Sequence, residues 1–213
     1  NTDSSIEATL KETGSKMQEV GGKISGVGES LSKGVTAPIA AIGAASLAAF
    51  SEVDSGLDIV EQKTGATGDA LEEMNQIVKD LATEIPTDFE TAGSAVGEVN
   101  TRFGLTGQAL DDLSAKFIKF ASLNDTDVST SVDNVSSVLN AFGQSTNDAG
   151  NLLDALNATG QATGISMDTL ANDLSQNAAQ FKEMGLTAQE AAGFMGMVEM
   201  SGLDTSTAMA GLK

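Results

Sequence analysis

The side chains that most often carry out catalysis or bind metals are missing from this chain. Its 213 residues contain no His and no Cys, which removes the commonest general base, the commonest metal ligand and every thiolate reaction. A zinc site would need carboxylates alone, an arrangement that proteins rarely use. The sequence therefore predicts no enzyme, no catalytic residue, no metal and no cofactor.

Three short motifs resemble parts of two kinds of site but lack the surroundings that their chemistry needs. SLSK at 30–33 and KTG at 63–65 match penicillin-binding enzymes, yet no strand is predicted to carry the second motif. DTDVS at 125–129 begins like a calcium loop, but Thr130 and Ser136 stand where such a loop has Gly and Glu. We interpret this stretch as a polar turn that caps the next helix.

The charge of the chain argues against several classes of partner. There are 30 acidic and 11 basic residues, for a net charge of -19. Direct nucleic-acid binding is not expected, because it requires a basic groove or stripe. An anionic membrane surface would also repel the chain.

Residues 34–51 carry no charge and consist mostly of Ala, Gly and Ser, with Pro38 near the start. A membrane span needs about 20 strongly apolar residues, so we predict a helix buried among other helices. Insertion into a membrane is the alternative, since small residues also serve helix packing in lipid.

The first 35 residues repeat every seven positions. If Leu10 is position a, seven of the eight a and d sites from Ile6 to Leu31 are apolar, which is a coiled-coil pattern. Gly14, Gly21 and Gly28 lie at position e, where a missing side chain would let a neighbouring helix approach. A flexible arm is the alternative, given the glycine content. The predicted oligomer interface consists of Ile6, Leu10, Met17, Val20, Ile24, Val27 and Leu31.

From Pro38 onward, helix-length segments are joined by turns of the form Gly-x-Ser/Thr/Asp. The Gly would take the left-handed position that ends one helix, and the polar residue would cap the next. Capping boxes are predicted at Thr187 with Glu190 and at Thr87 with Glu90. The predicted turn glycines are Gly65, Gly104, Gly143, Gly164, Gly185 and Gly202.

Between these turns the apolar residues follow helical spacing. Gly65, Gly104 and Gly143 lie 39 residues apart, and Gly185 follows 42 later. A two-helix unit of this length is typical of a helical repeat array. The predicted stripes are Leu71–Met74–Ile77–Val78–Leu81, Leu110–Leu113–Phe117–Phe120, Val128–Val132–Val135–Leu139–Phe142 and Leu170–Leu174–Ala178–Phe181.

These patterns predict an all-α protein, in which an N-terminal heptad helix precedes an array of antiparallel helix pairs joined by Gly-x-Ser/Thr turns. The expected regions are a coiled-coil-like helix at 1–35, an Ala/Gly-rich apolar helix at 36–64 and a helical-repeat core at 65–213. Because the last residues read as the start of another helix, we expect the chain to be a piece of a longer protein.

Three stretches resemble the core region of the tail tape measure proteins of long-tailed bacteriophages and prophages. They are VNTRFGLTGQALDDLS (99–114), NDTDVSTSVDNVSSVLNAFG (124–143) and GLDTSTAMAGLK (202–213). The uncharged stretch GVTAPIAAIGAASLAAF is similar to the lead-in before that core, so the resemblance covers about residues 30–213. Each motif is a helix-turn pattern, and their order makes the set fairly specific. Many members have a Pro in the helix before the MGLT turn, and this chain has none there.

The resemblance implies a structural role without an active site. Such proteins fill the lumen of the tail tube as several copies side by side, contact tube and tail tip or baseplate proteins, set tail length and leave ahead of the DNA. It implies a place in the virion, in the host cytoplasm during assembly, and transient contact with the host membrane. The alternatives are a helical-solenoid module that binds a protein, and a membrane-active protein that inserts through residues 34–51.

Overall fold

The computed structural model of the protein describes residues 47–202, with side chains from Val53 onward. Within this range the chain forms α-helices and one short 3-10 turn at Thr146–Asp148, and no strand occurs there. The prediction of an all-α protein is confirmed. The helices are α1 Leu47–Thr64, α2 Asp69–Glu84, α3 Phe89–Phe103, α4 Gly107–Asn124, α5 Val128–Phe142, α6 Ala149–Thr163, α7 Met167–Gln176, α8 Ala178–Glu183 and α9 Ala188–Met200.

The apolar stripes of the sequence form the core of the array. A stripe at helical spacing places its side chains on one face, which can then be removed from water. In α4 and α5 every residue of the predicted stripe is buried, and in α2 the first residue, Leu71, is partly buried while the others are buried. The core contains no Trp or Tyr, and Ala, Val and Leu fill most of it.

The helices alternate between two layers. The first layer contains α1, α3, α5 and the pair α7–α8, and the second contains α2, α4, α6 and α9. Along each layer a helix packs against the next member of the same layer, most extensively α1 against α3 and α6 against α9. Short turns lead from one layer to the other and back, which is the arrangement of a helical repeat protein.

The 39-residue interval of the turn glycines recurs at the start of the first-layer helices. Asp88, Asp127 and Ser166, which are separated by this interval, are the N-cap residues of α3, α5 and α7. Each side-chain oxygen accepts a hydrogen bond from the backbone N–H three residues later, at 2.6, 2.8 and 3.2 Å. These bonds satisfy amides that a helix start leaves free, so each repeat begins with the same local device.

The same interval recurs in the core. Val60, Val99 and Val138, at equivalent positions of successive repeats, are fully buried in α1, α3 and α5. Phe103, Phe142 and Phe181 are spaced in the same way and are buried near the ends of first-layer helices. Phe142 and Phe181 stack with ring centroids 6.2 Å apart, so equivalent residues of adjacent repeats contact each other.

The fourth predicted stripe is buried, but it does not lie on one continuous helix. The helix is interrupted at Asn177, which has φ -103° and ψ 11°. Asn177 lies one repeat after Val138, and its Nδ2 donates to the Asp173 carbonyl oxygen at 2.8 Å. A side chain that bonds the local backbone competes with regular helix geometry, which explains the break between α7 and α8.

One of the two predicted capping boxes is confirmed. Thr187 accepts from the Glu190 backbone N–H at 3.3 Å, and the Glu190 carboxylate accepts from the Thr187 backbone N–H at 2.9 Å. The box at Thr87 and Glu90 is wrong, because Asp88 is the N-cap of α3. Pro86 and Thr87 both precede the cap, and the aspartate carboxylate takes the place expected for the threonine hydroxyl.

The predicted heptad helix at 1–35 lies outside the described residues, as does most of the uncharged stretch 34–51. The three-region division at 35 and 64 stays a prediction. Among the described helices, none is long and apolar enough to cross a membrane.

Candidate functional site

The six predicted turn glycines all have left-handed backbone geometry. Their φ angles lie between 64° and 78°, a region that L-residues with a side chain occupy only at a cost. At five of them a Cβ atom would meet nothing within 4 Å among the described residues, and at Gly143 it would meet only Lys182 Nζ at 3.9 Å. Glycine is therefore needed at these positions for the angle, since space is available.

Asp125 occupies the corresponding position between α4 and α5. Its φ of 50° makes it the one non-glycine residue with positive φ in the described part of the chain. It lies one repeat before Gly164, the left-handed residue that ends α6. Aspartate tolerates this region better than most residues, but the turn still carries strain that glycine would remove.

A second group of glycines lies where two first-layer helices cross. A Cβ on Gly93 of α3 would lie 2.1 Å from the Gly56 carbonyl oxygen, and a Cβ on Gly56 of α1 would lie 2.2 Å from the Phe89 carbonyl oxygen. Backbone therefore contacts backbone at this crossing. Sequence reasoning missed the contact, although Gly93 and Gly97 have the small-xxx-small spacing that marks close helix approach.

A chain of ion pairs runs along the first layer. Lys63 of α1 pairs with Glu98 of α3 at 2.5 Å, and Glu98 Oε2 lies 3.5 Å from Arg102 Nε. The Arg102 guanidinium also reaches Asp133 of α5, with Nη2 2.5 Å from Oδ1. Single exposed pairs contribute little to stability, but this network links three consecutive helices of the layer and helps to fix their register.

Two equivalent grooves lie at the edge where α3, α5 and α7 begin. The first, about 490 Å³, lies between the α2–α3 and α4–α5 turns, and the second, about 570 Å³, lies between the α4–α5 and α6–α7 turns. Most residues of the second groove lie one repeat after a residue of the first. No Lys or Arg is among the described residues that line them. The carboxylates that line the two grooves are Asp88, Glu90, Asp125, Asp127 and Asp168.

Three other carboxyl groups have raised pKa values. Burial raises the pKa of Asp111, and the nearby Asp112 and Glu84 raise it further. Burial also raises the pKa of Asp154, although Lys116 Nζ, 3.8 Å away, opposes the shift. Burial alone raises the pKa of Asp173. Within residues 53–202, no group of three or more acidic side chains is arranged to hold a metal ion.

Acidic residues outnumber basic ones by almost four to one in this part of the chain. Residues 53–202 carry 23 Asp and Glu but only six Lys and Arg. Three of the six, Lys63, Arg102 and Lys116, pair with carboxylates. The described surface thus offers no basic stripe to a nucleic acid, and its repeated features are structural: turns, crossings and grooves.

The predicted oligomer interface, Ile6 to Leu31, lies outside the described residues and stays a prediction.

Comparison with known proteins identifies relatives. Residues 75–213 match the family described as phage-related minor tail protein. The chain is also 27% identical, over 195 residues, to a protein of Pneumococcus phage Dp-1 named "Tape measure protein". That alignment covers 91% of this chain but 17% of the relative, so the chain spans about a sixth of the relative's length. No solved structure matches.

Proposed function

Because the chain belongs to the phage-related minor tail protein family and is thus a structural protein of a phage tail, we propose that it is a segment of a tape that sets tail length. Several copies lie side by side in the lumen of the tail tube, in contact with tube and tail tip or baseplate proteins. The tape assembles in the host cytoplasm, stays in the virion and leaves ahead of the DNA. The name of the Dp-1 relative supports this reading.

The observation that carries the proposal is the 39-residue repeat. N-cap residues, buried valines and buried phenylalanines all recur at this interval. A protein that measures length needs an extent that grows with its number of residues, and identical units provide this without an active site. The acidic surface fits the same role, because a chain with few free cations does not hold DNA that passes through the tube.

Removal of one repeat tests the proposal. Deletion of residues 88–126 joins Thr87 to Asp127, which preserves the Thr-Asp sequence before a first-layer helix. In the intact gene this deletion is expected to shorten the tail by a fixed step, measured on particles by electron microscopy.

A matched control distinguishes the effect of the number of residues from the effect of their sequence. Replacing residues 88–126 with a second copy of residues 127–165 keeps the number of residues constant. This variant is expected to give tails of normal length. Tails of normal length from the deletion itself would refute length measurement by this segment.

A helical-solenoid binding module is the second candidate, and the two equivalent grooves favour it. A module that binds a partner through these grooves would give particles of unchanged length after the deletion, with one binding site fewer. The same electron micrographs therefore distinguish the two functions.

A further inference from the structure

We propose that the left-handed glycines are joints through which the compact array opens into longer continuous helices, while Pro86 keeps one joint bent. This inference rests on the proposed function, since the open form is the one that would extend along a tube. The joints are Gly104 with Gly107 between α3 and α4, Gly143 between α5 and α6, Gly164 between α6 and α7, and Gly185 between α8 and α9.

The backbone geometry at the α3–α4 joint is compatible with rotation into a continuous helix. Gly104 ends α3 with φ 67° and ψ 22°, and its backbone N–H already donates to the Asn100 carbonyl oxygen at 2.8 Å. Glycine occupies left-handed and right-handed helical regions with similar ease. A change to right-handed φ and ψ at Gly104 and Gly107 would continue α3 into α4, and no neighbouring side chain fills the space at Gly104.

The α2–α3 and α4–α5 turns contain no left-handed glycine. Asp125 is strained in its left-handed conformation, so a right-handed helix at this position would relieve it. Pro86 lacks the N–H that a continuous helix requires, and its ring disfavours helical geometry in the preceding residue. The α2–α3 turn would therefore stay bent when the others open.

The change in extent is large. Glu90 of α3 and Ser122 of α4 line the same groove in the compact array. In one continuous helix these 32 residues would span about 48 Å, and a whole 39-residue repeat would span about 58 Å. In the array, adjacent helices of a layer lie only about 10 Å apart.

Opening exchanges contacts within the chain for contacts between chains. The contacts of α3 with α5 and of α4 with α6 exist only while the array is compact. The apolar stripe of α4, which includes Leu110 and Phe117, is buried in the array and would face outward in an open chain. Parallel copies would have to cover it, so the compact form is expected for the free protein and the open form inside a bundle.

A distance measurement across one joint tests this directly. These 213 residues contain no Cys, so within them thiol-reactive spin labels attach only at introduced cysteines. The pair Glu90→Cys with Ser122→Cys, in the intact protein, is expected to give a short distance across the groove when free and about 48 Å in assembled tails. The control pair Gln108→Cys with Ser122→Cys lies within α4 and is expected to give about 21 Å in both states. A short Glu90–Ser122 distance in tails would overturn the proposal.

Two substitutions at one joint provide an independent test. Gly104→Ala and Gly104→Pro both disfavour the left-handed turn, but only Ala permits a continuous helix. Gly104→Ala shifts the balance towards the open form by roughly 30-fold, so normal tails with the distance of about 48 Å are expected, whereas Gly104→Pro should lose that distance. Equal failure of both variants would mean that the turn itself is needed and would refute the joint.

The two proposals fail in different ways. If deletion of residues 88–126 leaves tail length unchanged, length measurement is refuted. If tails shorten while the Glu90–Ser122 distance stays short in them, length measurement survives and the glycine joints are refuted.

Discussion

At the scale of single residues, glycine has two separate roles in this chain. Turn glycines such as Gly104 supply a positive φ and have open space where a side chain would be. Crossing glycines such as Gly93 have helical φ and no space at all. Alanine is therefore disfavoured by conformation at the first group and excluded by volume at the second.

Substitution at the helix crossing is expected to be costly. In Gly93→Ala the new Cβ would lie 2.1 Å from the Gly56 carbonyl oxygen, so α1 and α3 would have to separate. Overpacking of this kind costs about 3 kcal/mol, measured as a loss in the free energy of unfolding in urea. Gly150→Ala is the control, because the three atoms nearest its Cβ would belong to the flexible side chain of Lys116; it should be neutral or slightly stabilising. Equal losses in the free energy of unfolding in both variants would contradict the close crossing of α1 and α3 at Gly93.

Relief of backbone strain is expected to stabilise the α4–α5 turn. Asp125→Gly removes the one non-glycine side chain that has positive φ in the described residues, and should raise the free energy of unfolding by about 0.5–1 kcal/mol. At the equivalent position one repeat later, Gly164→Ala should lower it by about 1 kcal/mol. A destabilising Asp125→Gly would indicate that the carboxylate has a structural contact that outweighs the strain.

At the scale of helices, α3, α5 and α7 start in the same way, but only the last of them is interrupted, at its junction with α8. Val60, Val99 and Val138 are fully buried at equivalent positions, and the next position holds Asn177, where the helix breaks. The interruption is therefore a local consequence of one polar residue in an otherwise apolar series.

Restoring the apolar series is expected to restore the helix. Asn177→Val removes the side-chain bond to the Asp173 carbonyl and buries apolar surface, for a gain of about 1 kcal/mol. Hydrogen exchange should show slower exchange of the amides at 178–181. Asn172→Val, on the exposed face of α7, is the control and should change neither quantity; a similar gain there would point to helix propensity as the cause.

The packing of α4 against α6 should respond to acid through Asp154. Its pKa is raised by burial, so the folded protein binds this proton more readily than the unfolded chain. This contribution to the free energy of unfolding is greatest below the unfolded pKa and decreases as pH rises through the folded value. The free energy of unfolding of Asp154→Asn, relative to that of the natural chain, should therefore increase from about pH 4 to about pH 7. If this difference in the free energy of unfolding decreased with rising pH, burial could not be the cause of the raised pKa.

Much of the helical layer structure follows from apolar spacing, because a stripe at period 3.6 can bury only one face of a helix. The Leu110–Phe120 and Val128–Phe142 stripes predicted α4 and α5 in this way. The break at Asn177 was not predicted, since spacing says nothing about a side chain that bonds its own backbone. The N-cap of α3 was placed one residue early, at Thr87, because Thr and Asp are both favoured N-cap residues and here they are neighbours.

The glycine crossing and the two grooves could not be predicted from the sequence. The crossing of Gly56 and Gly93 joins residues that are far apart in sequence. Spacing within one helix does not show which glycine of another helix it will contact. The two grooves arise from turns of different repeats. Their equivalence follows from the repeat, but their volume and their acidic lining depend on how the layers pack.

At the scale of the whole molecule, repulsion between carboxylates opposes the compact array. With 23 acidic and six basic residues in positions 53–202, unfolding lets like charges move apart. Raising the NaCl concentration from about 10 mM to about 200 mM shortens the Debye length and should raise the Tm by a few degrees. A fall in Tm would mean that the Lys63–Glu98–Arg102–Asp133 network stabilises the fold more than repulsion destabilises it.

An N-cap, a buried valine and a left-handed turn all recur at the 39-residue interval, so the same repeat determines the structure of single residues, helices and the whole array. The most direct measurement is tail length against repeat number, in particles with residues 88–126 deleted, unchanged, duplicated and triplicated. The account predicts a straight line with a constant step, of about 58 Å for a continuous helix. Tails of one length across the whole series would contradict it.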